Sequence, residues 1–356
     1  MKTADFSWAA ISRPAAFKLL RPNPRLLKQA MPAPSGNLQA RMNEFFHEQV
    51  SEARFMITGR QQGLRTLVFG PNRFDDFPLV DFLKTGYVFG VDINLTAMSE
   101  AKNALPSDLR KKLAPLNLDA SLFANRIINS ASGIVEKYPE LTPGLLDDLI
   151  ETLKAIKAEG NLPFNDNSMD MAVSISCIGQ FLAFAYNSVL SMLQERYGQP
   201  AVFRLLSGIV REKKEVRNTS LNRVMNVLFR RIATSHLKET ARIVRPGGVI
   251  FVSDHFFKFN STTFRPEDLY PADLQCMSDI YLETDLPQLE VKIGEQAEGI
   301  AGISGRDSLE AALETAGNLE ILESFYAWNV NFAGNAMLGV PGEYFLDAAM
   351  ILSPEK

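Results

Sequence analysis

Short apolar runs that end in a turn, each followed by an amphipathic stretch, recur along this chain, and that alternation narrows the folds open to it. TLVF (66–69) reads as a strand, PLVDFLKTG (78–86) as a short helix closed by Gly86, and YVFGVDIN (87–94) as a second strand. LTAMSEAKNAL (95–105) has helical spacing, and KLAPLNLDA (112–120) reads as a third, short strand. SMDMAVSISCI (168–178), built from apolar and small residues, is a fourth strand buried on both faces. HLKETARIVRPGG (236–248) then reads as a helix stopped by Pro246-Gly247-Gly248, and VIFVSDHFF (249–257) as the fifth strand. SLEAALETAG (308–317) predicts a helix closed by Gly317, with LEILESFYAWNV (319–330) and YFLDAAMILS (344–353) as the last two strands. Strands that are apolar on both faces need cover on both, and helices crossing between parallel strands supply it. The expected fold is α/β: a doubly wound, mostly parallel seven-stranded Rossmann-like sheet with helical insertions.

The first 40 residues, with RPNPR and MPAPSGN, are Pro-rich and basic and read as an arm. Residues 40–60 carry apolar positions at helical spacing, and 41–356 is expected to form one domain. Three stretches interrupt the alternation, at about 121–160, 181–235 and 257–303. Each comes after the C-terminal end of a strand. Ligands bind at that edge of open α/β sheets, so the insertions are expected to roof a site.

Composition excludes several classes. Hydrophobic content of 46% is enough for a sizeable core, and there is no apolar run of bilayer length and no signal-peptide h-region at the start. Two cysteines, Cys177 and Cys276, without a CxxC pair argue against a disulfide framework and a structural zinc site. Three scattered histidines, His47, His236 and His255, argue against a histidine-rich metal centre. A cytoplasmic, reducing compartment is expected. Residues 1–41 and 178–238 are basic and 259–326 acidic, which fits either an anionic partner or segments of opposite charge facing each other. Nucleic acid is the less favoured partner, because the net charge is −4 and no RNA-binding module is present.

The order of several motifs resembles the class I S-adenosylmethionine-dependent methyltransferases. NLPFNDNSMDMAVS (161–174) is similar to that family's fourth-strand segment, with Met169 where Phe is usual. LKETARIVRPGGVIFVSD (237–254) is similar to the family's next helix and fifth strand. SLEAALETAGNLEILES (308–324) is similar to its last helix and sixth strand. Together with an acid ending the second strand, these motifs cover about half of the chain.

The resemblance implies S-adenosyl-L-methionine as cofactor and assigns residues to it. Asp92 is placed to accept hydrogen bonds from both ribose hydroxyls, the same carboxylate chemistry that dinucleotide folds use; a turn or helix-cap Asp is the structural alternative. Asn94 and Leu95 would flank the adenosine, Ile93 would also contact the cofactor, and Asp119 with Ala120 would face the adenine, a helix cap again being the alternative for Asp119. The family's first loop runs Gly-x-Gly-x-Gly, whereas this chain has Gly70-Pro71-Asn72-Arg73-Phe74, with one glycine left. Asn72 tolerates left-handed backbone and keeps the turn possible, but Phe74 would crowd the cofactor's path. Arg73, Asp75 or Asp76 would reach the cofactor's amino-acid end.

Ser176 and Cys177, at the exit of the fourth strand, would lie beside the methyl group. Methyl transfer from a sulfonium is an in-line displacement in which the protein aligns the nucleophile and takes its proton. Gln180 is the candidate for orienting the acceptor and His255 for the base, each with a structural alternative; His47 and His236 read as structural. The implied function is methyl transfer to a small molecule or a protein side chain. The alternative from another class is a degenerate methyltransferase fold kept as a partner-binding scaffold.

Overall fold

The computed structural model describes residues 38–59, 62–158, 160–202, 216–260, 300–302, 313, 319–331 and 343–355. Helix α1 (Leu38–Phe55) leads into β1 (Leu64–Phe69), α2 (Leu79–Thr85), β2 (Gly86–Asp92), α3 (Leu95–Ala104), α4 (Ser107–Arg110) and β3 (Leu113–Asn117). Two helices come next, α5 (Ala124–Lys137) and α6 (Pro143–Ala155), and then β4 (Met169–Ile175), α7 (Cys177–Tyr197) and α8 (Val216–Ile243). The sheet is completed by β5 (Val244–Asn260), β6 (Ile300–Gly302), β7 (Leu319–Asn331) and β8 (Glu343–Pro354).

The strand order is β3-β2-β1-β4-β5-β8-β7. Strands β1 to β5 pair in parallel, and β8 inserts antiparallel between β5 and β7. All seven strands read from the sequence are present, and an eighth, β6, pairs with the far end of β5.

Side-chain alternation builds a separate core on each face. Leu67 and Phe69 of β1, Ala172 of β4 and Ile250 and Val252 of β5 join a core closed by α5, α6, α7 and α8. Their neighbours Val68, Met171, Val173, Val249 and Phe251 join a second core with α1, α2, α3 and α4. A period of two, with both faces apolar, commits each strand to helical cover on both sides. The segments 121–160 and 181–235 therefore do more than roof a site: their helices cover one face of the sheet.

Two expected stops are built differently. Gly86 does close α2, its N–H donating to the Phe82 carbonyl, but with extended rather than left-handed backbone; it is also the first residue of β2, where a Cβ would collide with the Leu64 carbonyl oxygen. Chain packing selects glycine at that position. Pro246-Gly247-Gly248 lies inside β5, where the pairing slips between Met169↔Val244 and Met171↔Val249. A bulge absorbs the proline, which cannot donate to the ladder. The basic arm of residues 1–37, most of 257–303 and the helix read at 308–317, except Leu313, lie outside the described residues.

The most motif-like residues anchor the fold at the opposite edge from the site. Asp170, second in β4, accepts from Arg245 Nε at 2.7 Å and from the Arg65 backbone N–H at 2.9 Å. Leu162 N–H donates to Glu239 Oε1 at 2.6 Å, and Arg242 donates to Glu239, to Asp166 and to the Leu162 and Phe164 carbonyls. Helix α8 thus clasps the LPF segment through one guanidinium.

Candidate functional site

The chain leaves β1 towards β2 on one side of the sheet and later returns to β4 on the other, so the order reverses between β1 and β4. Such a switch point opens a crevice at the C-terminal strand ends. A cleft of about 330 Å³ lies there, within the size range of small-molecule sites.

One wall comes from the turns after β1 and β2. Gly70, Asn72, Asp92, Ile93 and Asn94 line it. Asp92 is the hub: its Oδ2 accepts the Asn72 N–H at 2.9 Å and its Oδ1 the Asn94 N–H at 2.8 Å. Asn94 caps α3 by accepting the Ala97 N–H, and its side-chain amide lies 3.4 Å from Asn72 Oδ1. The loop keeps left-handed backbone at alternate positions, with φ of 59° at Gly70, 44° at Asn72 and 64° at Phe74. A pattern usually written in glycines is here imposed on an asparagine and a phenylalanine.

Phe74 does not crowd the cleft. Its ring is 4% exposed and belongs to the core on the far face, 6.1 Å from the Phe77 ring and against Gly90. Arg73 is drawn to Glu100 of α3 at 2.6 Å, an exposed ion pair, and His47 Nε2 lies 3.0 Å from the Asp75 carbonyl oxygen, tying α1 to the loop.

The second wall lies just past β3. Leu118, Asp119, Ala120 and Ala124 line it. Asp119 Oδ1 accepts the Ser121 N–H and hydroxyl, and its Oδ2 accepts the Asn125 N–H at 3.1 Å. This is the capping geometry foreseen as the alternative for Asp119; of the four acceptor positions on a carboxylate it leaves one, on Oδ2.

The third wall is the start of α7, with Cys177, Gln180, Phe181 and Phe184. Helix α7 begins at a left-handed Ser176, φ 49°, whose N–H donates to the Ser253 carbonyl at 2.9 Å. Gly179 N–H donates to Asp254 Oδ1 at 3.2 Å, so β5 holds the helix start in place just past the end of β4. The Cys177 thiol is buried, and burial, aided by Asp92, Asp254 and Asp76, pushes its pKa well above the ordinary value. It is a neutral thiol packed against Gly70, where an added Cβ would stand 2.5 Å from its Sγ.

Nine of the residues given a role from the sequence meet around this one cleft, and Arg73, Asp75 and Asp76 do not line it. Pro71 and Ser176 are buried behind its wall. His255 lies on β5 in register with Asp347 of β8, and its side chain is outside the described residues. Phe181 and Phe184, an i, i+3 aromatic pair on one face of α7, also line the cleft and were given no role from the sequence; their spacing just after Gln180 is the signal for them. His236, read as structural, is buried and neutral, its pKa lowered by burial to about 4. Among the described residues there is no cluster of metal-ligating side chains and no helix long and apolar enough to cross a membrane.

No model of a protein family matches this sequence, and no curated protein matches it. Solved structures do resemble it in architecture. An S-adenosylmethionine-dependent methyltransferase from Aquifex aeolicus is 12% identical, over 93% of this chain and 99% of that one, with a TM-score of 0.34. An arsenic(III) S-adenosylmethionine methyltransferase from Chlamydomonas reinhardtii is 14% identical, over 91% and 75%, with a TM-score of 0.34. The [4+2]-cyclase SpnF is 12% identical, over 87% and 82%, with a TM-score of 0.36.

Proposed function

We propose that this protein is an S-adenosylmethionine-dependent methyltransferase acting on a small molecule or a protein side chain. The observation that carries this reading is the convergence of Gly70, Asp92, Asp119 and Cys177, from four different strand ends, on one cleft at the switch point of the sheet.

The residues present fit the cofactor. Asp92 spends one lone pair of each oxygen on the loop and keeps another on each for the two ribose hydroxyls. Asp119 keeps one acceptor position for an exocyclic amine, beside Ala120. Ile93, half-exposed, offers an apolar face to the base. Gly70 lines the cleft, and Phe74 belongs to the core on the far face.

When bound, the cofactor supplies a methyl group on a sulfonium, a ready electrophile. The chain then has to exclude water, present the acceptor in line and receive its proton. Phe181 and Phe184 give the acceptor side an apolar wall, and Gln180 offers an amide that can both donate and accept to orient the nucleophile. The neutral Cys177 thiol adds no charge there. His255 is the proposed base; it lies within β5, two residues past Ser253, the partner of the last residue of β4.

Calorimetric titration of the full chain with S-adenosylmethionine and S-adenosylhomocysteine tests the reading. Saturable binding of either, abolished by Asp92→Ala in a protein that still melts cooperatively, is the expected result. Absence of binding with protein at high micromolar concentration would leave only a methyltransferase-like fold used as a scaffold.

A further inference from the structure

Behind the cleft lies a buried polar group that the proposed reaction does not use. His236 of α8 is 2% exposed. Its ring packs edge-on against Phe69, centroids 4.6 Å apart, and against Phe181 at 5.4 Å. Its Nε2 lies 3.1 Å from Ser174 Oγ. Its other polar neighbour is the backbone of Ala120. Nε2 shares one hydrogen bond with the Ser174 hydroxyl. Ser174 is in turn hydrogen-bonded to the Cys177 thiol. The result is a buried chain running from the Ala120 carbonyl through His236 and Ser174 to Cys177, with both ends on cleft-lining residues.

We infer that His236 is a positioning residue that sets the spacing of the cleft, holding the Ala120 wall on one side and, through Ser174 and Phe181, the α7 wall on the other. The role rests on the reading of this cleft as the cofactor site. A residue needed only to fill the core between Phe69 and Phe181 would be apolar, since a buried imidazole must find both of its partners or destabilise the fold. Here both partners are found, and each fixes an element that bears on the ligand. Helix α8, far from the cleft in sequence, thereby governs how close the turn after β3 comes to the start of α7.

The test uses His236→Phe, which keeps a ring and loses both bonds, and His236→Gln, whose amide can make both. Val249→Ala, in the core on the opposite face, serves as a destabilised control that does not touch the chain of bonds. Two readouts are taken on the full chain: affinity for S-adenosylhomocysteine, and the rate at which iodoacetamide labels Cys177, mapped by mass spectrometry. His236→Phe is expected to bind about tenfold more weakly (~1.4 kcal/mol) and to label several times faster than Val249→Ala, while His236→Gln stays near wild type in both. If His236→Phe does not fold, Ser174→Ala cuts the same chain and should speed labelling equally. Labelling and affinity in these variants that match the Val249→Ala control would overturn the inference. A wild-type protein that binds no S-adenosylhomocysteine would refute the cofactor reading, and the labelling comparison would still decide the role of His236.

Discussion

Replacing Gly70 with alanine perturbs the site at its tightest point, and the geometry there imposes two separable costs. The residue holds φ at 59°, and its new Cβ would stand 2.5 Å from Cys177 Sγ and 3.7 Å from Cys177 Cβ. Left-handed backbone costs an L-residue roughly 1–2 kcal/mol. Forcing a methyl into a packed contact costs about 1–3 kcal/mol. Gly70→Ala should therefore lose about 3 kcal/mol in urea unfolding at an unchanged m-value. Only the second cost depends on the thiol. In Gly70→Ala/Cys177→Ala the clash is gone and the backbone cost stays, so the double variant should lose less than the sum of the singles, by about 1–2 kcal/mol. The midpoints of four urea curves, monitored by circular dichroism, measure this cycle. Strictly additive losses, or a Gly70→Ala protein as stable as wild type, would refute the claim that loop and helix meet at this contact.

Asp92→Asn offers an acceptor to only one of the two backbone N–H groups, from Asn72 and Asn94, that the carboxylate now holds. It should lose about 1.5–3 kcal/mol of stability along with affinity for S-adenosylhomocysteine; a variant as stable as wild type in thermal melts would contradict the geometry. His236 should make the fold acid-sensitive. Its folded pKa of about 4 lies below the ordinary value of 6.5, so the unfolded chain takes up the proton first. Its contribution is complete above pH 6.5 and falls as pH drops towards 4, by about 3 kcal/mol in all; urea midpoints from pH 7 to 4.5 should show a steeper fall in wild type than in His236→Gln. Arg242→Ala strands Glu239, whose side chain is 6% exposed, and releases the Leu162 and Phe164 carbonyls. A loss of about 3–5 kcal/mol and proteolytic nicking between residues 161 and 168 are expected, and resistance to both would deny α8 its hold on that segment.

The sheet was legible because periodicity is a local signal. Residues such as Leu67-Val68-Phe69 report burial on both faces before any partner strand is known, and seven such runs fixed the layered architecture. The inner boundary of β5 was not legible, because Pro246-Gly247-Gly248 reads as a stop, and only pairing with β4 turns it into a bulge. The same holds for Gly86, where the reason for glycine is the backbone of Leu64, distant in sequence. Part of the site was visible as strand-end residues. Its α7 wall was less so, since Phe181 and Phe184 look like any helical core pair until the cleft is seen beside them. The placement of Phe74 ran opposite to the sequence expectation because a left-handed backbone turns its side chain to the other face of the sheet.

That reversal bears on how the loop exists with so little glycine. Asn72 and Phe74 each hold a conformation that disfavours L-residues, and strain of this kind persists only where the surroundings over-determine it. Three constraints do so here. Asp92 takes the Asn72 N–H in a charge-assisted bond, the Phe74 N–H donates to the Pro71 carbonyl, and the Phe74 ring is buried beside Phe77. A buried phenylalanine contributes about 1.5–3 kcal/mol and a hydrogen bond to a charged acceptor about 1.5–3 kcal/mol, enough to offset left-handed strain at two residues. The carboxylate and the ring thus do what glycine does elsewhere, by holding the backbone where glycine would merely permit it. The same carboxylate is the one proposed to take the ribose hydroxyls, so on that reading ligand affinity and loop order are coupled through Asp92. Binding at the ribose position should accordingly tighten the loop at Asn72, visible as slower amide exchange of its N–H, a group that would be indifferent to ligand if the turn were held by glycine alone.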